Sequence, residues 1–381
     1  MRLHDLLRET PIPGQEESRQ RSLAVVRAAF AEREPVPRRT PYLKPALAFA
    51  ILAALVAAAV SSPGRAVLGS LRKTVVGEKH AAPELFSLPS QGRLLVSSPH
   101  GSWVVQANGS RRNLGRYRDA SWSPHGFYVV VTRANEVVAV DAKGNQRWAL
   151  PRPHVRFARW GGSRIDTRVA YLTGSRLHVV AGDGTGDVDL CGEPAAARVA
   201  PVWQPGPVRI VAYADTKGRV YLIDADRCSL FWRSAPYPRP EALRWSDDGR
   251  RLLLVTHDKI VVFGHARGTP LAVRFMRGVT DAAFAPPRSH RFALVRRGEV
   301  LELDADRLRG RPGRIFVAPG RLGQLAWSPN GRWLLVTWPA ADQFVFVRSA
   351  RPHRLAAFSG ITRQFGGGSF PTIGGWCCTS Q

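Results

Sequence analysis

Short apolar runs recur along most of the chain, and one longer apolar run precedes them. Ala46–Val60 contains no polar residue, and Pro45–Gly64 contains no charged one. After residue 85, runs such as YVVVT and LLLVT alternate with turns rich in Gly, Pro, Asp and Asn. Short runs with β-branched residues between turn residues predict β-strands. The long run instead predicts one membrane-spanning helix, because twenty helical residues cover about 30 Å, the thickness of the bilayer core.

An aromatic residue opens each group of predicted strands. Successive aromatic residues are 38, 43, 42, 39 and 43 residues apart. Each unit contains a turn, two apolar runs joined by a polar hairpin and a further, less regular run, which together predict four antiparallel strands. Packing between neighbouring sheets is the expected role of these aromatic side chains, which are Trp122, Trp160, Trp203, Trp245, Phe284 and Trp327.

A four-stranded sheet with two apolar faces has to stack against other sheets, and a closed ring of sheets leaves neither end of the stack uncovered. The sequence therefore predicts an all-β protein, with a β-propeller over residues 85–358, a linker at 65–84 and a C-terminal tail at 359–381. An additional unit beginning near Phe86 gives seven blades. Six blades result if these early strands only complete the last blade.

The turns after three of the tryptophans read WSPHG, WSDDG and WSPNG. They resemble the W-S-P-D-G motif of TolB-like propellers, a relative of the WD-repeat class, and the resemblance covers about residues 85–358. It implies the propeller fold and says little about activity. Trp160 followed by GGS and Phe284 followed by APP depart from the motif, so it defines the third and sixth blades least well.

The apolar run at Pro45–Gly64 also predicts where the protein is located. A buried soluble helix and a cleaved signal peptide are the alternatives to a signal anchor. Short tails remain inside readily, and long domains are translocated largely regardless of charge. We therefore expect a single-pass protein of the cell membrane, with residues 1–44 in the cytoplasm and the propeller on the other side.

The cytoplasmic tail contains one candidate helix, which Ser18 can cap. Leu23, Val26 and Phe30 share one face of it at helical spacing. This face suits docking on a cytoplasmic protein. A solvated juxtamembrane helix and a helix lying on the bilayer surface are the alternatives.

The chain is strongly basic. Lys and Arg total 55 against 29 Asp and Glu, which gives a net charge of +26. This excess either attracts an anionic polymer or lipid head group or is spread thinly over a large surface. No block of five basic residues occurs, so the pattern does not favour nucleic acid as a partner.

Motifs for catalysis and for cofactor binding are missing from the sequence. It has no G-x-S-x-G, no G-x-x-x-x-G-K-[ST] and no H-E-x-x-H. The segment Gly182–Asp187 has two carboxylates, which favours a flexible hairpin over a calcium site. We therefore predict no catalytic, cofactor-binding or metal-binding residues.

The four cysteines fall into two pairs. Cys191 and Cys228 are 37 residues apart, close to one repeat, and could form a disulfide if the domain is exported. Cys377 and Cys378 are adjacent. A bond between these two, a bond to another chain and simple packing all remain open.

The function that these features favour is a non-catalytic, membrane-anchored propeller that binds a protein or an anionic surface polymer. A transmembrane regulator, with an exterior sensor and a cytoplasmic docking helix, is the first alternative. The second is an enzyme with its site in the propeller channel. A convergent pair of carboxylates in that channel would favour it.

Overall fold

The computed structural model describes residues 87–163, 166–190, 194–196, 198–206 and 209–378. Across these residues, 28 strands form seven antiparallel sheets of four strands each. The predicted all-β propeller with seven four-stranded blades is therefore confirmed. Within the described ranges, no helix combines the length and apolar character needed to cross a membrane. The predicted span at 45–64 and the linker at 65–84 lie outside these ranges.

Six blades are continuous in the sequence, and their strands lie side by side in chain order. They are β4 (Asp119–Trp122), β5 (Tyr128–Arg133), β6 (Glu136–Asp141) and β7 (Gln146–Pro151) in blade 2; β8 (Val155–Gly162), β9 (Thr167–Thr173), β10 (Arg176–Ala181) and β11 (Val188–Asp189) in blade 3; β12 (Val202–Trp203), β13 (Ile210–Ala214), β14 (Val220–Asp224) and β15 (Ser229–Arg233) in blade 4; β16 (Pro240–Trp245), β17 (Arg251–Thr256), β18 (Lys259–Gly264) and β19 (Pro270–Phe275) in blade 5; β20 (Val279–Phe284), β21 (Arg291–Arg296), β22 (Glu299–Asp304) and β23 (Gly313–Val317) in blade 6; and β24 (Leu325–Trp327), β25 (Trp333–Trp338), β26 (Gln343–Arg348) and β27 (Leu355–Ser359) in blade 7.

Blade 1 combines the two ends of the propeller and closes the ring. Its strands are β1 (Arg93–Ser98), β2 (Gly101–Val105), β3 (Arg111–Gly115) and the last strand of the chain, β28 (Thr372–Cys377). β28 pairs with β1 in antiparallel register. The segment assigned to a C-terminal tail, 359–381, therefore supplies a blade strand, and the propeller extends further than predicted. The same segment contains the one-turn helix α1 (Ile361–Gln364).

Trp376 in β28 is the seventh repeated aromatic residue, and the sequence pattern did not identify it. It lies 49 residues after Trp327 and is followed by two cysteines instead of a Ser-x-x-Gly turn. In the structure it is buried like the others. Phe86, the expected first residue of blade 1, lies outside the described residues. The blade count of seven is thus correct, but the blade is completed from the other end of the chain.

The hydrophobic core consists of clusters shared between neighbouring blades. One of them joins Leu222 of blade 4 to Leu254 of blade 5. The six predicted aromatic residues are each between 7% and 9% exposed, which agrees with packing between blades. Two of the indoles also form hydrogen bonds to the preceding blade. The Trp203 Nε1–H donates to the Arg159 carbonyl at 2.9 Å, and the Trp327 Nε1–H donates to the Ala283 carbonyl at 3.0 Å.

The W-S-x-x-G turns owe their sequence to a repeated hydrogen-bond pattern. In blade 5, the Ser246 hydroxyl donates to Asp248 at 2.6 Å and accepts from the Arg251 backbone N–H at 2.9 Å. Ser328 makes the same two kinds of contact in blade 7. The glycine that ends each turn has a positive φ, 68° at Gly249, which other residues adopt only with strain.

Blade 3 lacks this turn for a packing reason. Gly161 occupies the position that serine takes in the turns of blades 2, 5 and 7. A Cβ atom there would lie 2.0 Å from Cγ of Trp203, the aromatic residue of the next blade. Only glycine lets that indole approach the strand so closely. Blade 3 nevertheless forms a regular four-stranded sheet, as does blade 6.

Candidate functional site

The strand order determines which connections meet at each end of the propeller. Turns between the first and second strands and between the third and fourth strands of a blade lie at one end, which we call the turn face. Turns between the second and third strands lie at the other end, together with the seven blade-to-blade connections. We call this second end the arginine face.

Every blade-to-blade connection contains at least one arginine. Their described residues include no Asp or Glu, and Glu193 lies outside the described ranges. The arginines are Arg116 and Arg118 before blade 2, Arg152 before blade 3, Arg198 before blade 4, Arg239 before blade 5, Arg277 before blade 6, Arg321 before blade 7 and Arg363 before β28. Because the blades form a closed ring, these cations are distributed around the whole face.

Most of these guanidinium groups are available to a ligand. Arg152 is half-buried and pairs with Asp187 at 2.6 Å. The other seven arginines are exposed, and none of them forms an ion pair with a residue that the structure describes. Arginine is well suited to binding carboxylates and phosphates, because its planar fork donates two parallel hydrogen bonds.

Acidic residues also lie near the arginine face, and among them Asp258 accepts from the Thr256 hydroxyl at 3.2 Å and Glu241 lies 3.9 Å from the His257 ring. Asp215 accepts from the backbone N–H groups of its own turn, and Asp342 accepts from the Thr362 N–H and hydroxyl. Among the carboxylates at strand ends, Glu136 pairs with Arg133 at 2.7 Å and Glu299 lies 3.3 Å from Arg314. The seven exposed arginines of the connections are therefore not neutralised by these groups, and the face has a positive potential.

Sequence reasoning missed this surface, although a signal for it was present. Taken as one residue per connection, the arginines at 118, 152, 198, 239, 277, 321 and 363 follow one another at intervals of 34 to 46 residues. This is the period of the repeat. A search for contiguous basic blocks cannot detect such a pattern, since neighbouring charges on the surface are a whole blade apart in the chain.

The inner strands contain charged residues that pair between blades. Arg159 of blade 3 contacts Asp119 of blade 2 at 2.6 Å, and Arg244 of blade 5 contacts Asp281 of blade 6 at 2.8 Å. Asp281 also accepts from the Leu325 N–H of blade 7 at 3.0 Å. These inner-strand carboxylates are therefore engaged in joining blades.

On the turn face, one histidine links two carboxylates from different turns. The ring nitrogens of His290 lie 2.9 Å from Asp248 and 2.5 Å from Asp306, and Asp306 also accepts from Arg251 at 2.7 Å. Burial by itself lowers the pKa of His290, but its hydrogen bonds to both carboxylates outweigh this and raise the pKa above the usual 6.5. This cluster joins blades 5 and 6.

The same contacts affect the two carboxylates. Burial by itself raises the pKa of Asp248, whereas hydrogen bonds from Ser246, the Arg250 N–H and His290 lower it to a net value of about 2. The pKa of Asp306 is likewise lowered, because hydrogen bonds from His290 and Arg251 outweigh burial. An open cavity of about 490 Å³ lies beside Asp248. The cluster therefore consists of charged groups that satisfy one another.

A second network joins β9 of blade 3 to the segment that precedes β11. The Tyr171 hydroxyl donates to Asp187 at 2.6 Å, and Arg152 contacts the same carboxylate. Burial first, and then this hydrogen bond, raise the pKa of Tyr171. Asp183, the other carboxylate of the Gly182–Asp187 segment, accepts from Thr185 instead. In the described part of the chain, no group of three or more His, Cys, Asp or Glu could hold a metal ion.

The remaining predicted residues are only partly within the described ranges. Cys377 and Cys378 form a disulfide with each other, one of the three alternatives left open by the sequence. Cys228 packs beside the cluster shared by blades 3 and 4, but Cys191 lies outside the described residues, so their bond remains a prediction. The tail residues Leu23, Val26 and Phe30 are also outside these ranges.

Comparisons with known proteins identify the fold. No protein-family model matches the chain, and no curated protein matches it. Several solved structures do. The β-propeller domain of Myceliophteria thermophila Cps50 (Swd1) is 16% identical, with a TM-score of 0.55 over 67% of this chain and 93% of that one. A chain of the mitotic checkpoint complex is 13% identical, with a TM-score of 0.53 over 74% and 87%.

The C-terminal WD40 domain of Sif2 is a third similar structure, 10% identical with a TM-score of 0.53 over 70% of this chain and 82% of that one. At these identities the similarity concerns the fold and not the activity. The TolB-like resemblance rests on the turn motifs alone. The chain thus has a WD40-like, seven-bladed β-propeller fold.

Proposed function

We propose that this protein is a non-catalytic binding module whose arginine face binds an acidic surface of a partner protein. Seven exposed arginines around one end of the ring support this function most directly, because none of them forms an ion pair with a described residue. WD40-like propellers supply a rigid scaffold that presents loops, and a rigid scaffold lowers the entropic cost of binding.

A protein fits this surface better than an anionic surface polymer. The arginines are spread around the ring, one or two per connection, and are not arranged in a continuous track. A folded partner can place several carboxylates opposite such separated cations, and complementary potentials favour rapid and specific association. One of the similar structures comes from a multiprotein complex, which is compatible with this view.

The binding test reverses charge on one face at a time. In the full-length protein extracted with detergent, Arg239, Arg277 and Arg321 are changed to Glu. The matched control changes Arg332, Arg351 and Arg354 of the turn face, which are also exposed, in the same way. Proteins that copurify are identified by mass spectrometry and mapped by crosslinking at two salt concentrations.

We expect a discrete protein that crosslinks to the arginine face, is lost from the first variant and is retained by the control. Its recovery should decrease at high salt, because exposed charges are screened. Equal recovery with both variants contradicts the proposed face. Binding of a purified anionic polymer in place of any protein selects the polymer as the ligand.

We also propose that Pro45–Gly64 anchors the protein in a membrane, because this segment contains no charged residue. A reporter that is active only after export should be active when fused after Gln381 and inactive when fused before Met1. The reverse result would invert the topology. Recovery of the full-length protein in the soluble fraction without detergent would reject the anchor.

A regulatory role is the second candidate, and the apolar face of the tail favours it. An isolated helix of about 15 residues is marginal in water, so docking would stabilise it. A photoreactive group at Val26 should yield a discrete protein adduct that Phe30→Asp abolishes. Labelling of lipid alone contradicts the regulator and leaves the arginine-face proposal unaffected.

A further inference from the structure

The outer edge of blade 5 carries an exposed apolar stripe, and the Lys259 amine lies over one of its rings, 5.1 Å from the centroid of Phe275. Leu271 is 59% exposed and Phe275 is 77% exposed, and both lie on β19. The pairing of β19 with β18 shifts register at Leu271, so the regular alternation of faces does not hold at that residue. Leu271 and Phe275 lie about 13 Å apart along the strand, and the stripe is this exposed length of β19. β19 is the outermost strand of its sheet and pairs only with β18. No strand in the described part of the chain pairs with its other edge, which can accept a further strand.

Two cavities lie on the turn face where this stripe begins, and both are lined by Leu271. One, of about 480 Å³, also contacts Arg251, His265, Arg267 and Pro270. The other, of about 370 Å³, also contacts Asp306, Arg307, Leu308 and Arg309. We call the stripe and the two cavities together the blade 5 cleft.

The wall of the cleft is fixed before any ligand binds. The Arg274 guanidinium donates to the carbonyls of Leu308 and Gly310 at 2.7 and 2.6 Å, which ties the loop of blade 6 to β19. Asp306 is engaged by Arg251 and His290. A preformed cleft of this kind costs little ordering entropy when a ligand binds.

The charge of the cleft is predominantly positive. Arg267, Arg307 and Arg309 are exposed, and none of them pairs with an acidic residue in the described part of the chain. The one carboxylate in the lining, Asp306, is already neutralised by its partners. A ligand with carboxylates next to apolar side chains would therefore match both the Arg groups and the apolar stripe.

We propose that the blade 5 cleft binds an extended segment of a protein in which acidic and apolar residues alternate. The segment adds to the free edge of β19 by main-chain hydrogen bonds, as in other cases of strand addition. Its apolar side chains cover Leu271 and Phe275, and its carboxylates pair with the arginines of the cavities. The two cavities lie on the turn face, and the stripe extends from them along β19 to Phe275.

The test uses a labelled eight-residue peptide in which Glu alternates with Leu and Val, and a second peptide with Lys in place of each Glu. Binding to the full-length protein is measured by fluorescence anisotropy. The cleft variant combines Arg267→Glu with Leu271→Asp. The matched control combines Arg351→Glu with Leu355→Asp in blade 7, where the same two residue types occupy a turn and an exposed outer strand at the same spacing.

We expect the Glu peptide to bind, with an affinity reduced at least about tenfold in the cleft variant and nearly unchanged in the control. Similar affinities of both variants, or binding of the Lys peptide as tightly as the Glu peptide, overturn the proposal. So does stronger competition by single-stranded DNA than by unlabelled peptide. If the cleft variant does not fold, as judged by circular dichroism, Arg307→Glu with Arg309→Glu gives the same test. Reversal of Arg198, Arg321 and Arg363, which belong to the arginine face but lie on connections that do not adjoin β19, should leave peptide binding intact, which separates this proposal from the arginine-face proposal.

Discussion

The two ends of the propeller are built from the same repeat, but they differ in how their charged side chains are paired. On the turn face, Asp248, His290, Asp306 and Arg251 satisfy one another and join blades 5 and 6. On the arginine face, seven exposed arginines remain without ion pairs to described residues. Paired charges of this kind contribute to the scaffold, whereas unpaired charges of one sign remain available for a partner. The location of the unpaired charges is therefore better evidence of a binding surface than the total charge of +26.

The largest effect is expected from the shared scaffold, on which both faces depend. Trp327→Ala removes a buried indole and its hydrogen bond to the Ala283 carbonyl. We expect the free energy of unfolding to fall by about 3–5 kcal/mol, measured by urea denaturation. Phe275→Ala, which alters an exposed side chain, serves as the control and should change stability by less than about 0.5 kcal/mol. Equal effects would contradict the packing role of the repeated tryptophans.

A smaller loss of stability is expected at Gly161, where Trp203 leaves no room for a side chain. Gly161→Ala forces its new methyl group against Trp203, and overpacking of this kind costs about 1–3 kcal/mol. Gly264→Ala is a suitable control, because its methyl group would meet only ordinary contacts with Leu271. A melting temperature that is the same for both variants would show that the blade 3 turn is not constrained by the indole.

The charged cluster of the turn face should make stability depend on pH. Because the folded pKa of His290 is raised, its contribution is complete below about pH 6.5 and is lost as pH rises through the folded pKa. His290→Ala should therefore cost about 1–2 kcal/mol near pH 6 and less near pH 9. Denaturation curves at both pH values measure this difference, and a cost that is independent of pH would contradict a charged His290.

The opposite dependence applies to Asp248. Its folded pKa of about 2 lies below the usual 3.8, so its contribution is present above 3.8 and is lost as pH falls through the folded value. Asp248→Asn should lower the stability of the protein at neutral pH and have little effect near pH 2. An equal loss of stability at both pH values would indicate that packing, and not charge, determines the effect.

The smallest effect on stability is expected at the arginine face. Arg277→Ala removes an exposed cation that pairs with no described residue, so the free energy of unfolding should change by less than about 0.5 kcal/mol. Binding of an acidic partner should nevertheless weaken. A stability loss as large as that of His290→Ala would show that the charges of the arginine face also stabilise the fold.

The repeat was predictable because its determinants are local or periodic. Apolar runs, turn residues and an aromatic residue at intervals of about 40 residues define strands and blades without knowledge of long-range contacts. The Ser-x-x-Gly turns were recognisable for the same reason, since Ser246 and Ser328 form their hydrogen bonds within five residues. The blade count and the burial of the repeated aromatic residues follow from these patterns.

Only the tertiary structure decided which residues from different repeats meet. β28 closes blade 1 through pairing with β1, from which it is separated by most of the propeller. His290 bridges carboxylates 42 and 16 residues away. The arginines form one basic surface only because the seven connections that hold them lie at the same end of a closed ring. Sequence patterns determine local conformation. The basic surface and the charged cluster instead depend on contacts between distant repeats, and these contacts form only when the ring closes.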